Sequence, residues 1–254
     1  GWFFTLHAIS GMLFDSIAFK NVISTGLVLD AKGNKMSKRL GNAVDPFSTL
    51  KNYGADPTRW YMITNAQPWD NLKFNLDGIT EVRNKFFGTL TNTYNFFALY
   101  ANLDRYTIKG EIDLKKATEL DKWVLSKLQS LILEVDEAYT TYEPTKAGRA
   151  IQNFVTDQLS NWYVRLGRRR FWKGELSEDK KLAYETLGVC LKTVAQLMSP
   201  IAPFYSDWLY KNLTGGNEKI SVHLSDFPVA NLALIDENLQ ESMDYAQRLS
   251  SLVH

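Results

Sequence analysis

The stretch Thr25-Gly26-Leu27-Val28-Leu29-Asp30-Ala31-Lys32-Gly33-Asn34-Lys35-Met36-Ser37-Lys38-Arg39 sets the reading of the whole chain. Its first six residues form a short apolar run of the kind that makes a strand, and Ala31-Lys32-Gly33-Asn34 is a turn. The next five place two lysines three apart in a basic loop, with Gly33 and Gly41 as hinges on either side. Lysine carries a compact charge on a long flexible stem. A pair at this spacing can close over a polyphosphate and follow its charge as it moves. Two lysines in a turn also admit a plainer reading, a solvated charged surface. The sequence around them decides between the two.

Upstream, Phe3 to Phe14 reads as a helix, and Val22-Ile23 and Leu27-Val28-Leu29 as short buried strands, so residues 1–45 have a mixed α/β character. Downstream, Asp45-Pro46 and Asp56-Pro57 each set a capping residue before a proline at the first helical position, the signal for two short helices. Gln67-Pro68-Trp69-Asp70-Asn71 is a loop, and from about Leu76 the chain reads as long helices. The first, from Asp77 to Ala101, has Phe87, Leu90, Tyr94, Phe97 and Ala101 at spacings of three and four, one buried stripe. A second spans Glu119 to Tyr139 with Trp123, Leu128, Leu131 and Val135. Pro144 opens a third, to Trp172, and Ser177 caps a fourth, which ends before Ser199-Pro200. A shorter fifth reaches Leu213, followed by Gly215-Gly216, an extended stretch from Ile220 to Leu224, and a last helix from Asn231 onward. The fold class is mainly α: the end of an α/β domain followed by an antiparallel helix bundle, with the boundary near residue 76.

The chain of 254 residues has ample length for a core, and its net charge of +1 creates no global field toward nucleic acid. The single cysteine, Cys190, excludes an internal disulfide and a multi-cysteine zinc site, so no zinc is expected, and a reducing cytoplasm is the natural compartment. No apolar run approaches the roughly 20 residues that span a bilayer, so no membrane partner is expected. The sequence opens at Gly1 inside what reads as a structured segment, as a piece of a longer protein would. His7 and His223 have no histidine, cysteine or paired carboxylate at ligand spacing and read as structural.

A second basic constellation lies late in the third helix: Asn161-Trp162-Tyr163-Val164-Arg165, then Arg168-Arg169-Arg170-Phe171-Trp172-Lys173. At 100° per residue the helix buries Ile151, Val155, Leu159, Trp162 and Leu166, and the same stripe continues into Arg169 and Lys173. Since cations are not buried in a row without partners, the helix must project past the bundle or break at Gly167. Either way a knob of arginines and aromatics is presented, suited to single-stranded RNA, whose bases stack on rings and guanidinium planes. Arg83, Asn84 and Asn92 on the first long helix are polar positions that can face the same RNA.

In its order of motifs the chain resembles the class I aminoacyl-tRNA synthetases. The resemblance rests on Gly26-Leu27-Val28-Leu29-Asp30, Gly33, Lys35-Met36-Ser37-Lys38, Leu40-Gly41-Asn42 and Asp45-Pro46, then on Gly54-Ala55-Asp56 with Arg59-Trp60-Tyr61. Gly1-Trp2-Phe3-Phe4 and Asn161-Trp162-Tyr163-Val164-Arg165 bring it nearest to the isoleucyl members. The resemblance implies that Lys35 and Lys38 act on ATP, with Mg²⁺, while the carboxylate of isoleucine attacks the α-phosphorus, and that the backbone near Gly26, Val28, Met36 and Ser37 lies against the nucleotide. It implies that Trp2, which otherwise reads as a core aromatic, walls the pocket for an aliphatic amino acid. Asn161, Arg165, Arg168, Arg169, Arg170, Trp172, Arg83 and Asn92 would meet tRNA(Ile).

In these terms residues 1–45 are the end of a Rossmann-like catalytic domain, 46–76 a stem-contact connection and 77–254 the anticodon-binding bundle. Arg39 stands where many members have serine and Thr25 where many have histidine. The paired histidines of the first class I signature are absent, as is any editing domain, so the chain alone is expected to be inactive without its missing N-terminal catalytic and editing portions. Three alternatives stay open: a fragment of a valyl enzyme, a stand-alone tRNA-binding module, and a helical scaffold without an RNA role.

Overall fold

Helices dominate the chain, and the long ones fall where apolar residues recur at three- and four-residue spacing. The computed structural model describes residues 1–214 and 221–253. In order the elements are α1 (Trp2–Phe14), β1 (Val28–Leu29), α2 (Pro46–Tyr53), α3 (Ala55–Asn65), β2 (Leu72–Lys73), α4 (Leu76–Glu81), α5 (Gly88–Leu103), α6 (Glu119–Thr140), α7 (Pro144–Asn153), α8 (Arg165–Trp172), α9 (Glu178–Met198), α10 (Pro203–Leu213) and α11 (Glu237–Val253). The structure is mainly helical, with a two-residue parallel pairing, Val28 with Leu72 and Leu29 with Lys73. Gly215-Gly216, and Ile220 of the expected extended stretch, lie outside the described residues; Val222–Leu224 forms a 3₁₀ turn.

Residues 1–48 contain no fully buried side chain. The strands expected there to be buried are not. Val22 and Ile23 are exposed and outside any strand, and Val28–Leu29 pairs with β2 and, through Leu29, with Lys35 in an isolated antiparallel bridge, while no second layer of the described chain covers them. No residue of α1 is buried; Phe3 and His7 each pack on the ring of Phe19. Gly26 explains how β1 begins. A Cβ there would lie 2.0 Å from the Asp70 carbonyl oxygen, so only glycine lets the strand approach the 67–71 loop. There its N–H donates to the Pro68 carbonyl.

Helix α3 has two buried faces. Trp60 stacks on Phe86 with ring centroids 4.4 Å apart and enters the main core. Tyr61 faces a smaller cluster with Leu72, Phe74 and Ile79, on which Met36 and Val44 pack. Both ends of α3 are tied to the bundle. Asp56 was expected to cap this helix; Gly54 holds the capping position instead, and the Asp56 carboxylate accepts from the Tyr205 N–H at the start of α10. Arg59 donates to the Ile201 and Pro200 carbonyls. At the far end Thr145 donates to the Ile63 and Ala66 carbonyls, and Arg149 to Thr64. Burial raises the pKa of Asp56, opposed by its hydrogen bond from Tyr205 and the charge of Arg59.

Two stretches depart from α geometry. Val82–Phe87 and Phe154–Val164 are π-helical, each continuous with the α-helices on either side. The i→i+5 bonding of a π segment turns less per residue than an α-helix and so shifts which side chains face the core. In the second segment the buried series runs Ile151, Val155, Leu159, Tyr163, Gly167 and Phe171, while Trp162 is only partly buried and Leu166 is 57% exposed. The helix therefore neither breaks at Gly167 nor has to carry Arg169 inward.

Close packing of α3 on α7 makes a prediction. A Cβ on Gly148 would lie 2.6 Å from Thr64 Cγ2 and 3.3 Å from Ile201 Cδ1. Thr64 is held by its own hydrogen bond to the Trp60 carbonyl and does not swing away freely. Gly148→Ala should therefore destabilise the chain by about 1–3 kcal/mol in chemical denaturation, against the usual gain of roughly 0.5–1 kcal/mol for Gly→Ala within a helix.

Candidate functional site

The basic loop is braced from within. Asp30 Oδ1 accepts from the N–H groups of Lys32 (3.0 Å) and Asn34 (2.7 Å), closing the turn in which Gly33 has φ +87°. Asn42 reaches back across the loop: its Nδ2 donates to Asp30 Oδ2 at 3.0 Å and to the Lys35 carbonyl at 3.3 Å, and its Oδ1 accepts from the Ser37 N–H at 2.9 Å. Ser37 Oγ accepts from the Leu40 N–H, capping the 3₁₀ turn Lys38–Leu40, which ends at Gly41 with φ +66°. Hydrogen bonds from Asn34 and Asn42, against a small desolvation cost, hold the Asp30 carboxyl below the usual carboxylate range. Gly33 and Gly41 are thus left-handed turn positions. Met36 turns inward onto the Tyr61 cluster, while Lys35 and Lys38 are exposed. Neither lysine has a side-chain hydrogen bond or ion pair among the described residues.

The arginine-rich helix divides its cations. Asn161, Arg165, Arg168 and Trp172 are exposed at spacings of four, three and four, an outward stripe opposite Tyr163 and Phe171. Arg165 and Arg168 line a cleft of ≈ 260 Å³ with Asn92, Thr89, Phe96 and Ser160. Arg168 lies over the Phe96 ring, 5.9 Å from its centroid. The structure therefore brings together Asn92, Arg165 and Arg168, with Asn161, Arg169 and Trp172 exposed on the same helix. It does not add Arg83, which turns toward α2, over the Tyr53 ring and against the Asn52 carbonyl. Trp2 is 78% exposed on α1.

Arg170 faces inward, contrary to its reading as part of an outward knob. Its guanidinium makes two bonds to Asp121, 2.8 and 2.9 Å, and two more to the Asp179 carboxylate. Asp121 is fully buried and also accepts from the Tyr163 hydroxyl at 2.7 Å and from the N–H and hydroxyl of Thr118. Desolvation pushes the Asp121 pKa up, but bonds from Arg170, Thr118 and Tyr163 outweigh it and leave the pKa lowered. Of these residues Asp121 was legible in advance, since Thr118-x-x-Asp121 spells a capping box, which the structure forms. Asp30 and Asn42 stood in the quoted motif with no role attached to them, and Phe96 had no signal. His223 bonds the Pro203 carbonyl, and Cys190 is buried, which raises its thiol pKa. No group of three or more His, Cys, Asp or Glu side chains that could hold a metal occurs among the described residues, and no described helix is long and apolar enough to cross a membrane.

Residues 1–75 match the family model for tRNA synthetases class I (I, L, M and V), and residues 121–254 that for the anticodon-binding domain of tRNA ligase. The chain belongs to the class I tRNA synthetases that carry this anticodon-binding domain. Within them it is similar to isoleucine–tRNA ligases. It is 67% identical to that of Cytophaga hutchinsonii over 258 residues, which cover 100% of this chain and 23% of the relative. It is 61% identical to that of Bacteroides fragilis over 257 residues, covering 100% and 22%. The Thermus thermophilus enzyme is 47% identical over 246 residues, covering 96% and 24%. The chain thus spans about a quarter of the length of these relatives. Its fold is shared by a LeuRS of Agrobacterium radiobacter K84, solved as a ternary complex with tRNA and LeuAMS. That likeness has a TM-score of 0.70 at 23% identity and covers 92% of this chain and 27% of the other.

The Asp121–Arg170 pair generates a stability prediction. Arg170→Ala strands a buried carboxylate and should cost about 3–5 kcal/mol in chemical denaturation. Because the folded Asp121 pKa is depressed, its contribution is present above the ordinary carboxylate value of 3.8 and is lost as pH falls through the folded value. The stability gap between the parent and Asp121→Asn should therefore hold steady above that value and close below it.

Proposed function

We propose that this chain is the part of an isoleucyl-tRNA synthetase that supplies the basic signature loop and the anticodon-binding helices. The braced loop carries the reading: a solvated lysine turn has no use for a network that fixes its backbone while leaving both ammonium groups unpaired. In the whole enzyme, ATP with Mg²⁺ supplies the adenylyl group that activates isoleucine. Lys35 and Lys38 bind the phosphates and stabilise charge as it develops there, Lys38 chiefly in the transition state. The backbone at Gly26, Val28, Met36 and Ser37 lies along the nucleotide. Exposed Trp2, on an apolar helix with no cover of its own, walls the amino-acid pocket against the remaining catalytic domain. Residues 1–45 are the end of the Rossmann-like domain, 46–76 the connection to it and 77–254 the anticodon-binding bundle. Short connections between α6 and α7, between α8 and α9 and between α9 and α10 support an antiparallel arrangement of those helices. The cytoplasm is its compartment.

The anticodon loop of tRNA(Ile) meets the Asn161–Trp172 stripe and the Asn92–Phe96–Arg168 cleft, where a guanidinium already seated on a ring offers a planar cation to an unstacked base. Arg170 is left out of that contact because its donors are committed to Asp121 and Asp179. The valyl reading predicts a different amino acid and tRNA, and the uncovered α1 speaks against a self-sufficient RNA-binding module.

Two measurements on the complete protein test this. Lys38→Ala should nearly abolish isoleucine-dependent pyrophosphate exchange and leave tRNA affinity unchanged; parental exchange in that variant, or exchange with valine in preference to isoleucine, would overturn the assignment. Replacing Arg165 and Arg168 with alanine should weaken tRNA(Ile) binding and reduce the slope of log affinity against log salt by about 1.4, two contacts at roughly 0.7 each. An unchanged slope moves the RNA surface elsewhere.

A further inference from the structure

Neither lysine of the signature loop is held by its own side chain; each is held through its backbone, and one carboxamide reaches the backbone on both sides of Met36. Asn42 Nδ2 donates to the Lys35 carbonyl and Asn42 Oδ1 accepts from the Ser37 N–H, the residue just before Lys38. The remaining Nδ2 bond, to Asp30 Oδ2, ties that carboxamide to the turn whose N–H groups Asp30 already gathers. Met36 supplies the loop with an apolar anchor, but a single unbranched side chain does not fix the orientation of the peptides beside it. A three-bond carboxamide on an ionised aspartate does, because charge-assisted hydrogen bonds are short and directional.

We propose that Asn42, oriented by Asp30, is a positioning residue for the adenylation step, setting where Lys35 and Lys38 stand relative to the phosphates. This rests on the function proposed above for the loop. Its consequence is specific. Losing the brace should slow the chemical step while isoleucine, which the brace does not touch, still binds.

The test uses the complete protein, with kcat and KM for isoleucine measured by pyrophosphate exchange and the thermal midpoint measured alongside. Asn42→Ala should lower kcat by on the order of a hundredfold, with KM for isoleucine and the thermal midpoint close to the parent's. Asp30→Asn faces one amide donor with another, and Asn42→Asp faces one carboxylate with another, so each single change should be comparably slow. The double variant Asp30→Asn/Asn42→Asp restores a donor opposite an acceptor and keeps an acceptor for the Ser37 N–H. It should recover about tenfold over either single change, short of the parent because the Lys35 carbonyl loses its donor.

Parental kcat in Asn42→Ala, a loss that tracks a fallen thermal midpoint, or a double variant no faster than the singles would each overturn the proposal. Failure of the underlying reading looks different: a parent without exchange for any amino acid overturns both, and a fully active Lys38→Ala overturns the role of the loop itself.

Discussion

The fully buried carboxylate of Asp121 is the constraint around which the basic end of the bundle is arranged. An ion taken out of water is tolerable only when its acceptor sites are filled. Here three elements fill them: Thr118 at the start of α6, Tyr163 in the π-helical stretch, and Arg170 in α8, which also reaches Asp179 in the first turn of α9. The start of α6, the end of α8 and the start of α9 are thereby fixed to one another by polar geometry as well as by packing. With Arg170 pointing inward, Arg168 and Arg169 on the same helix must point away. The outward cations are a consequence of the inward one.

A second set of polar contacts plays the same part for α3. Its N-terminal acid meets the N–H groups that open α10, and Arg59 meets the carbonyls that follow α9, each charge facing the helix terminus that suits it. Because Trp60 and Tyr61 point to different cores, the main bundle and the small cluster beneath the basic loop share one rigid helix. α3 thus contributes side chains both to the main core and to the cluster on which Met36 of the loop packs.

The sequence told much of this and missed the rest for identifiable reasons. The long helices follow periodicity and capping: Ser177, Pro144 and Pro203 start helices where such residues do, and the stripe Phe87, Leu90, Phe97, Ala101 is buried. The phase of the third helix was misread because a constant 100° per residue hides a π segment, which has no composition of its own. That single error produced an arginine row that looked impossible to bury and a helix that looked obliged to break. In residues 1–45 the apolar runs suggested buried strands, but a strand is buried only by a second layer, and none of the described chain supplies one. The lysines and most of the exposed stripe on the arginine-rich helix were legible as types at a spacing. Asp30 and Asn42 were legible only as members of the motif and Phe96 not at all, because their roles depend on backbone groups and rings that only folding brings near.

Charge placement joins these points. With a net charge of +1 the chain has no long-range field to gather an anion, and screening confines any attraction to about 8–10 Å. Recognition then depends on which cations are left unneutralised. Arg170 and Lys180 are drawn inside onto Asp121 and Asp104, whereas Lys35, Lys38, Arg165 and Arg169 have no ion pair among the described residues. Those four cations stand in two places, each backed by a support: a hydrogen-bonded turn for the loop and a buried aromatic row under α8. An unpaired cation on a mobile stem contributes little to binding, since ordering it costs entropy. Fixing the backbone beneath it removes part of that cost in advance of any anion.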